Sequence, residues 1–458
     1  MSTTILGIDI GSTKICAIIA EHSEKGIKIL GSGIAKSKGL KKGVITNIEH
    51  ASKSIKNALN DAKRVAGIPY EKVIVSVSGA FTKGVDSYGV INVPGGEIGI
   101  KEINRAIQMA DHNANISNDY EKLHLLPFNF KVDEQEYIED PLGMSGNRLE
   151  VQAHIIAVQK SALGNLKKAI KAAGLEADNM VLNGYASSIA VLKDDEKELG
   201  AAVIDMGGAT CNLVIHSGNS IRYNDFLGVG SNNVTNDLSM ALHTPLQAAE
   251  EIKIHFKELK ESGKEVIELP SIGDESHKNE VSLEIIHNVI YARIEETLMI
   301  LAKSIEESGF KDSIGSIVLT GGFTEFDSLR EMAENIFDDK PVRLAKPNET
   351  EGFFEDLKAP SFSTAIGLIL YGAGKFTPYE IDSNNKLRYK DEKIEPSKNI
   401  ENIIKTEEEE KETDLKKDLI ITPQESYNDQ IIAPEEYEES YGFKERIKRF
   451  WNMLTQLF

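Results

Sequence analysis

Cysteine is scarce in this chain: only Cys16 and Cys211 occur among its 458 residues. Two cysteines give little support to a disulfide framework or a thiolate metal site, and they favour a reduced, cytosolic protein. The ten histidines form no metal-ligand spacing. No apolar run approaches the ~20 residues that span a bilayer. No basic and apolar leader precedes the first strand, so we do not expect secretion.

Positive charge is also in short supply. The chain has 52 Lys and Arg residues against 72 Asp and Glu residues, a net charge of −20, which disfavours a nucleic-acid partner. Between Glu380 and Ser440 there are 19 acidic and 9 basic residues, so this stretch alone carries −10. A chain of 458 residues is too long for one compact core, and we expect two or more domains.

Two short segments share one pattern. Residues 5–19 and 201–215 each contain an apolar strand, then Asp-x-Gly with small or hydroxyl residues, then a second apolar strand. The pattern predicts β-hairpins whose glycines supply a positive φ and close backbone approach. Two such hairpins facing each other could hold a triphosphate, with Asp9 and Asp205 holding Mg²⁺ through water. One Asp-x-Gly turn can simply close a hairpin, but the duplication favours a site.

Two weaker motifs follow. Gly321, Gly322 and Phe323 come directly after the apolar strand Ser316–Thr320, where paired glycines let the backbone approach a flat ligand. Glu250 and Lys253 lie three apart on a helix that we expect to start near Pro245, so both could reach a ribose and base. Alone, the first is an ordinary turn and the second an exposed ion pair.

Strand and helix patterns alternate from Met1 to about Phe376, which predicts an α/β architecture with covered sheets. Val73–Val77 and Ser316–Thr320 have the composition of central strands, while Leu163–Ala173 and Leu283–Ile305 have helical spacing. From Pro378 to Tyr441 the chain is acidic, with few aromatics and no sustained period. This composition predicts a disordered linker over 378–441, the alternative being a folded acidic domain.

The pattern returns at residues 442–458, where the apolar side chains of a helix would occupy an arc of roughly 160°. Four basic residues against Glu445 give this segment a charge of +3. A cationic amphipathic helix suits an anionic membrane surface, although it could also pack on a protein groove. The residues expected to bind the membrane are Phe443, Lys444, Arg446, Ile447, Lys448, Arg449, Phe450, Trp451, Leu454, Leu457 and Phe458.

Together, the two hairpins, the Gly-Gly turn and the Ala-Glu-x-Ile-Lys segment resemble the nucleotide site of the actin, Hsp70 and sugar-kinase superfamily. Within that superfamily the chain resembles the FtsA family of bacterial cell-division proteins over nearly its whole length. The discriminating segments are Leu125–Phe128 and Asp140–Val151, which are similar to the subdomain that this family inserts. The terminal helix is similar to the family's membrane-targeting helix.

The resemblance implies an actin-like two-lobed ATPase fold with an FtsA-type inserted subdomain, an acidic linker and a terminal amphipathic helix. It implies a first lobe over 1–83 and 163–195, an insert over 84–162, a second lobe over 196–230 and 306–377, and a further subdomain over 231–305. The linker and helix then occupy 378–441 and 442–458.

The resemblance also assigns roles within an ATP and Mg²⁺ site. The phosphates would be contacted by Gly11, Ser12, Thr13, Lys14, Gly207, Gly208, Ala209 and Thr210. Adenosine and ribose would be contacted by Glu250, Lys253, Gly321, Gly322 and Phe323. Asp9 and Asp205 would hold the metal. No residue stands out as the one that orients an attacking water, so at most weak ATP hydrolysis is expected.

The expected function is an actin-like protein that polymerises on the cytoplasmic face of the cell membrane at the division septum. It would anchor the tubulin-like protein FtsZ there and recruit later division proteins. Two alternatives stay open: a related scaffold of a pilus or secretion system, and a small-molecule kinase with the same ATP cleft.

Overall fold

The fold is described from a computed structural model of the chain. It describes residues 2–218, 220–326, 328–337, 340–348 and 355–389. The chain divides into two compact units, Met1–Tyr389 and Lys390–Phe458, and every described residue belongs to the first. The predicted terminal helix at 442–458 and the predicted linker from residue 390 onward lie outside the described residues.

The strands are numbered in chain order. They are β1 (Thr3–Ile10), β2 (Lys14–Ser23), β3 (Gly26–Lys36), β4 (Leu40–Lys41), β5 (Val44–Ile45), β6 (Lys72–Val77), β7 (Thr82–Asn92), β8 (Tyr120–Val132), β9 (Gln135–Ile138), β10 (Arg148–Gln159), β11 (Asn179–Leu182), β12 (Ala201–Met206), β13 (Cys211–Ser217), β14 (Ser220–Leu227), β15 (Val266–Ser271), β16 (Asp274–Ser282), β17 (Ser316–Thr320), β18 (Val342–Leu344), β19 (Glu380–Ile381) and β20 (Leu387–Arg388).

The helices confirm the predicted helical segments, which correspond to α3, α7 and α9. They are α1 (Ile48–Ala66), α2 (Ile100–Asn113), α3 (Lys160–Ala172), α4 (Asn183–Val191), α5 (Asp194–Leu199), α6 (Ser231–Ala241), α7 (Leu246–Ile254), α8 (Phe256–Glu261), α9 (Leu283–Glu307), α10 (Leu329–Ile336) and α11 (Ser363–Gly372).

Two five-stranded sheets share one topology. The first has the order β11-β6-β1-β2-β3 and the second, read the same way, β18-β17-β12-β13-β14. In each sheet three consecutive strands pair antiparallel, β1-β2-β3 in the first and β12-β13-β14 in the second. The first strand of each set also pairs in parallel with a later strand, β1 with β6 and β12 with β17. The repeated hairpin of the sequence is therefore part of a repeated lobe. One core contains the first sheet together with one face of the second, including Val203, Val214 and Val318, and another core lies on the opposite face of the second sheet.

Helices α4 and α11 join the two sheets. All ten residues of α11 are buried, as expected for a helix that is apolar on every side. It packs on β1, because a Cβ atom at Gly7 would lie 3.0 Å from Ile369 Cδ1. Helix α4 packs on β13 in the second lobe, next to Val214. The two helices touch at Gly367, where an added Cβ would lie 1.8 Å from the Ala186 carbonyl oxygen.

A third sheet forms the insert, with the order β20-β19-β8-β10-β7 and β9 added at β8. Helix α2 crosses it at Gly89, where an added Cβ would lie 2.0 Å from the Ala106 carbonyl oxygen. The last two strands of the described chain, β19 and β20, belong to this sheet, since Ile381 pairs with Leu125.

The predicted start of the linker at Pro378 is therefore wrong: residues 378–389 belong to the folded unit. The reason is a buried polar cluster around Glu380, whose side chain is fully buried. The hydroxyls of Tyr371 and Tyr185 donate to its carboxylate at 2.7 and 3.0 Å. The Leu182 N–H donates to His124 Nε2 at 3.2 Å, so Nδ1 carries the proton and donates to Glu380 at 2.8 Å.

In the part of the chain that the structure describes, no helix is long and apolar enough to cross a bilayer.

Candidate functional site between the two hairpins

Both predicted hairpins are confirmed. Strands β1 and β2 pair until Ile10 meets Ile15, and β12 and β13 pair until Met206 meets Cys211. The turns are thus residues 11–14 in the first lobe and 207–210 in the second. In each hairpin the aspartate lies one step before the last strand pair, opposite Cys16 in the first and Asn212 in the second.

The two turns face each other across the cleft between the lobes. A Cβ atom added at Gly208 would lie only 1.9 Å from the Oγ1 atom of Thr13. The expected reason for the turn glycines is partly wrong, because Gly11, Gly207 and Gly208 are not among the residues with positive φ. They are needed for space: a Cβ atom at Gly11 would lie 2.7 Å from the Lys14 carbonyl oxygen.

The two aspartates that precede these turns are each only 8% exposed. Burial raises the pKa of Asp9 to about 6, and the charge of Asp205 adds to the shift, while Lys14 and a hydrogen bond from Ser76 oppose it. Burial also raises the pKa of Asp205. Ser187 and Thr364 donate to its Oδ2 at 2.5 and 2.9 Å.

Lys14 is the one cation of the first turn, and its ammonium lies 3.5 Å above the ring of Phe362. Burial lowers its pKa, while negative charge on Asp9, Glu325 and Asp205 opposes that shift. One of the two preceding hydroxyls already has a hydrogen-bond partner. Ser12 Oγ accepts a hydrogen bond from the Gly43 N–H at 2.7 Å, so it already has one partner in the first lobe.

The second turn is braced by the start of α6. The N–H groups of Ser231 and Asn232 donate to the carbonyls of Gly207 and Gly208 at 3.1 and 2.7 Å. The close approach requires Gly230, where an added Cβ would lie 2.7 Å from the Ala209 nitrogen. Within the turn, the Gly207 N–H donates to the Thr210 carbonyl at 2.8 Å.

The Gly-Gly turn adjoins the second aspartate. Gly321 has φ +91°, and a Cβ atom there would lie 2.4 Å from Asp205 Oδ1. Phe323 is only 1% exposed and packs edge-on against Phe326 within the core of the second lobe. Its ring therefore does not face the cleft, and a ligand there could meet Gly321, Gly322 and Phe323 through backbone atoms only.

Glu250 and Lys253 form a pair on α7, with Lys253 Nζ 2.7 Å from Glu250 Oε2. Thr235 on α6 joins them, donating to Glu250 and accepting from Lys253 at 3.0 Å. Burial would raise the pKa of Glu250, but hydrogen bonds from Lys253 and Thr235 and the charges of Lys253 and Lys36 outweigh burial and lower it. Lys36 belongs to β3 of the first lobe, so this pair also faces the cleft.

One segment that the sequence analysis missed touches three of the predicted motifs. Across residues 361–364, Ser361 lies beside Gly322, Phe362 lies under the Lys14 ammonium, Ser363 bonds Thr320 at 2.7 Å, and Thr364 bonds Asp205. In the sequence this segment appears only as a phenylalanine among hydroxyl residues where an apolar helix begins. Its contacts are with residues far away in the chain, so no local signal could have revealed them.

The chemistry of the cleft fits a phosphate ligand with a hard cation. Two buried carboxylates repel each other, and a divalent cation held by one or two carboxylates plus phosphate oxygens is the usual arrangement for Mg²⁺. Among the described residues no group of three or more His, Cys, Asp or Glu side chains is placed to hold a metal. Turn N–H groups and the Lys14 ammonium are suitable donors to phosphate oxygens.

Comparisons with known proteins agree with this architecture. A family model described as cell division protein FtsA matches residues 202–367, and one described as the SHS2 domain inserted in FtsA matches residues 79–157. The second interval covers most of the third sheet.

Relatives that match most of the chain carry the same description. The cell division protein FtsA of Helicobacter pylori strain J99 is 45% identical over 419 residues, 84% of this chain and 85% of that protein. The cell division protein FtsA of Pseudomonas aeruginosa strain PAO1 is 36% identical over 377 residues, 81% of this chain and 89% of that protein.

A solved structure titled PilM-PilN type IV pilus biogenesis complex has a TM-score of 0.58 and 17% identity, covering 81% of this chain and 98% of that chain. At this identity the likeness concerns the fold alone. These matches confirm the predicted actin-like α/β fold with two lobes and an inserted subdomain. The chain therefore belongs to the FtsA family of bacterial cell-division proteins.

Proposed function

We propose that this chain binds ATP with Mg²⁺ between its two hairpins and uses the nucleotide as a conformational switch in cell division. The observation that carries the proposal is the pair of facing turns, with Thr13 against Gly208, above two buried carboxylates. Residues 11–14 and 207–210 would bind the phosphates. Glu250 and Lys253 would contact the ribose and adenine, with the backbone of residues 321–323 beside them.

Asp9 and Asp205 would hold the cation, which supplies positive charge to the phosphates and offsets the repulsion between the two carboxylates. Asp9 is held within the first lobe by Ser76, and Asp205 is held by Ser187 and Thr364 on the joining helices α4 and α11. A ligand that contacts both hairpins would therefore set the distance between the lobes.

Calorimetric titration of ATP into the folded chain with Mg²⁺ tests the site. Gly207→Asp places a carboxylate in the second phosphate turn and is expected to abolish the binding heat. Gly95→Asp is the matched control, since an added Cβ there meets nothing within 4 Å and the residue lies in the insert. Unchanged ATP affinity in Gly207→Asp would show that the ligand does not use this turn.

The same proposal extends to the membrane. The segment 442–458 would lie in the anionic inner face of the cell membrane, and a filament of many chains would convert weak single sites into stable attachment. Family membership and the charge of this segment support it. Replacing both Phe450 and Trp451 by Glu should release the chain from anionic vesicles in co-sedimentation. Asn452→Glu with Thr455→Glu changes the charge equally on the polar side and should cost less binding.

As a member of its family, the chain would anchor FtsZ to the membrane at the division site and recruit later division proteins. Self-association into head-to-tail filaments would present the membrane segments in a row. Electron microscopy on anionic lipid, with and without ATP, should show ordered filaments only when both are present. Pull-down of FtsZ separates this function from a pilus or secretion scaffold, and rapid phosphate transfer to a small acceptor would instead indicate a kinase.

A further inference from the structure

Lys14 is partly buried beside two buried carboxylates, yet it pairs with neither. Negative charge on Asp9, Glu325 and Asp205 acts on its ammonium. Such an ammonium would ordinarily form an ion pair, because attraction strengthens where water is excluded. Among the described contacts, however, the partner of Lys14 Nζ is the face of Phe362 at 3.5 Å, and no carboxylate bonds to it.

The ring is held firmly in this place. Phe362 is 7% exposed, and it is followed by two residues with fixed hydroxyls. Ser363 bonds Thr320 at 2.7 Å, and Thr364 bonds Asp205 at 2.9 Å. The same short segment therefore fixes one carboxylate and the aromatic surface on which the cation rests. An aromatic face attracts an ammonium without neutralising it, whereas a carboxylate would neutralise it.

We propose that Phe362 is a positioning residue that keeps the Lys14 ammonium away from Asp9 and Asp205, so that both carboxylates stay available to a divalent cation. The inference rests on the proposed function for its ATP test, but not for its metal test. Without the ring, the ammonium would move onto the carboxylates and compete with Mg²⁺ for them. The Lys14 ammonium would then be lost from the phosphates as well, because one ammonium cannot contact both the carboxylates and the phosphates.

The first test compares ATP affinity with Mg²⁺ and with EDTA for the full chain and for Phe362→Leu. In the variant, the ratio of ATP affinity with Mg²⁺ to ATP affinity with EDTA is expected to decrease by a factor of about 2 to 30. This is the range that the free energy of a cation–π contact gives. Phe362→Tyr keeps the ring face and should restore the ratio. In a Lys14→Met background, Phe362→Leu should change the ratio no further, because there is no ammonium to misplace.

The second test needs no nucleotide. Titration of Mn²⁺ into the nucleotide-free chain, followed by the loss of its free electron paramagnetic signal, measures the carboxylate pair directly. The variant with Asp9→Asn and Asp205→Asn gives the baseline for the acidic surface. Phe362→Leu should lower the Mn²⁺ binding that remains after this baseline is subtracted. Adding Lys14→Met to the Phe362→Leu chain should restore that binding. If the wild-type chain binds no ATP but shows this Mn²⁺ pattern, the proposed function fails and the role of Phe362 stands.

Two results would overturn the proposed role of Phe362. Equal loss of ATP affinity with Mg²⁺ and with EDTA in Phe362→Leu would assign the ring a packing role and overturn the proposal. An unchanged ratio together with unchanged Mn²⁺ binding would do the same. A thermal unfolding scan of each variant in EDTA establishes that the compared chains are folded, and Phe362→Met is the replacement if Phe362→Leu does not fold.

Discussion

Asp9 in the nucleotide-free chain should weaken the fold at neutral pH, and Asp9→Asn should therefore stabilise it. Burial, followed by repulsion from Asp205, raises the pKa of Asp9 from 3.8 to about 6. The folded chain thus holds this proton more tightly than the unfolded chain does. Because of that, the free energy of unfolding falls as the pH rises from about 4 to about 6, and then stays level for this group.

The magnitude follows from the size of the pKa shift. Each pKa unit corresponds to about 1.36 kcal/mol, so ionised Asp9 lowers the free energy of unfolding by about 3 kcal/mol at pH 8. Near pH 5 the loss is about half as large, since the folded chain is then mostly protonated at this position. Asparagine keeps an oxygen that can accept from Ser76 Oγ, now 3.1 Å from Asp9. The attraction of Lys14 is already included in the pKa of Asp9, so its loss does not change this figure.

Urea unfolding at pH 8 and at pH 5 measures this effect without nucleotide or metal. The stability gain of Asp9→Asn should be larger at pH 8 than at pH 5. In a separate series with Mg²⁺ added, the cation should stabilise the wild-type chain more than the variant. Asp61→Asn, which changes an exposed carboxylate on α1, should give no stability gain at pH 8 and should leave the stabilisation by Mg²⁺ unchanged. The reasoning is refuted if Asp9→Asn is less stable than the wild-type chain at pH 8, or if its gain is the same at both pH values.

Two further predictions concern the packing. The thiols of Cys16 and Cys211 are fully buried. Burial raises the pKa of Cys16 to about 12 and also raises the pKa of Cys211. A thiol reagent should therefore label neither until urea unfolds the chain, and rapid labelling of a native thiol would contradict this. Gly367→Ala should lower the free energy of unfolding by about 1–3 kcal/mol through its clash with Ala186, whereas Gly164→Ala, with nothing within 4 Å, should raise it by about 0.5–1 kcal/mol. Equal effects of the two substitutions in urea unfolding would be the contrary result.

Local patterns were sufficient wherever neighbours in the chain make the structure. The apolar runs around Asp9 and Asp205 predicted both hairpins, because paired strands and a short turn need only adjacent residues. Periodicity likewise predicted α3 and α9, whose buried residues recur at helical spacing. The duplication of the hairpin motif favoured a shared site, whereas the two lobes were expected from the family resemblance.

Composition misled where distant partners compensate for it. The segment after Pro378 is acidic and contains no sustained period, yet Glu380 is buried because His124, Tyr185 and Tyr371 all donate to it. His124 and Tyr185 lie 256 and 195 residues from Glu380 in the chain, and Tyr371 lies nine residues from it. A buried carboxylate is stable only with such partners, and a composition count cannot detect them.

The sequence by itself determined the two Asp-x-Gly hairpins, the helix that carries Glu250 and Lys253, and the family of the chain. Tertiary structure alone decided that Thr13 meets Gly208, that the ring of Phe323 enters the core, and that Phe362 lies under Lys14. The physical reason is range. Hydrogen bonds of hairpins, turns and helices join residues that are near in sequence, whereas a cleft is made by side chains that only the packing of two lobes brings together.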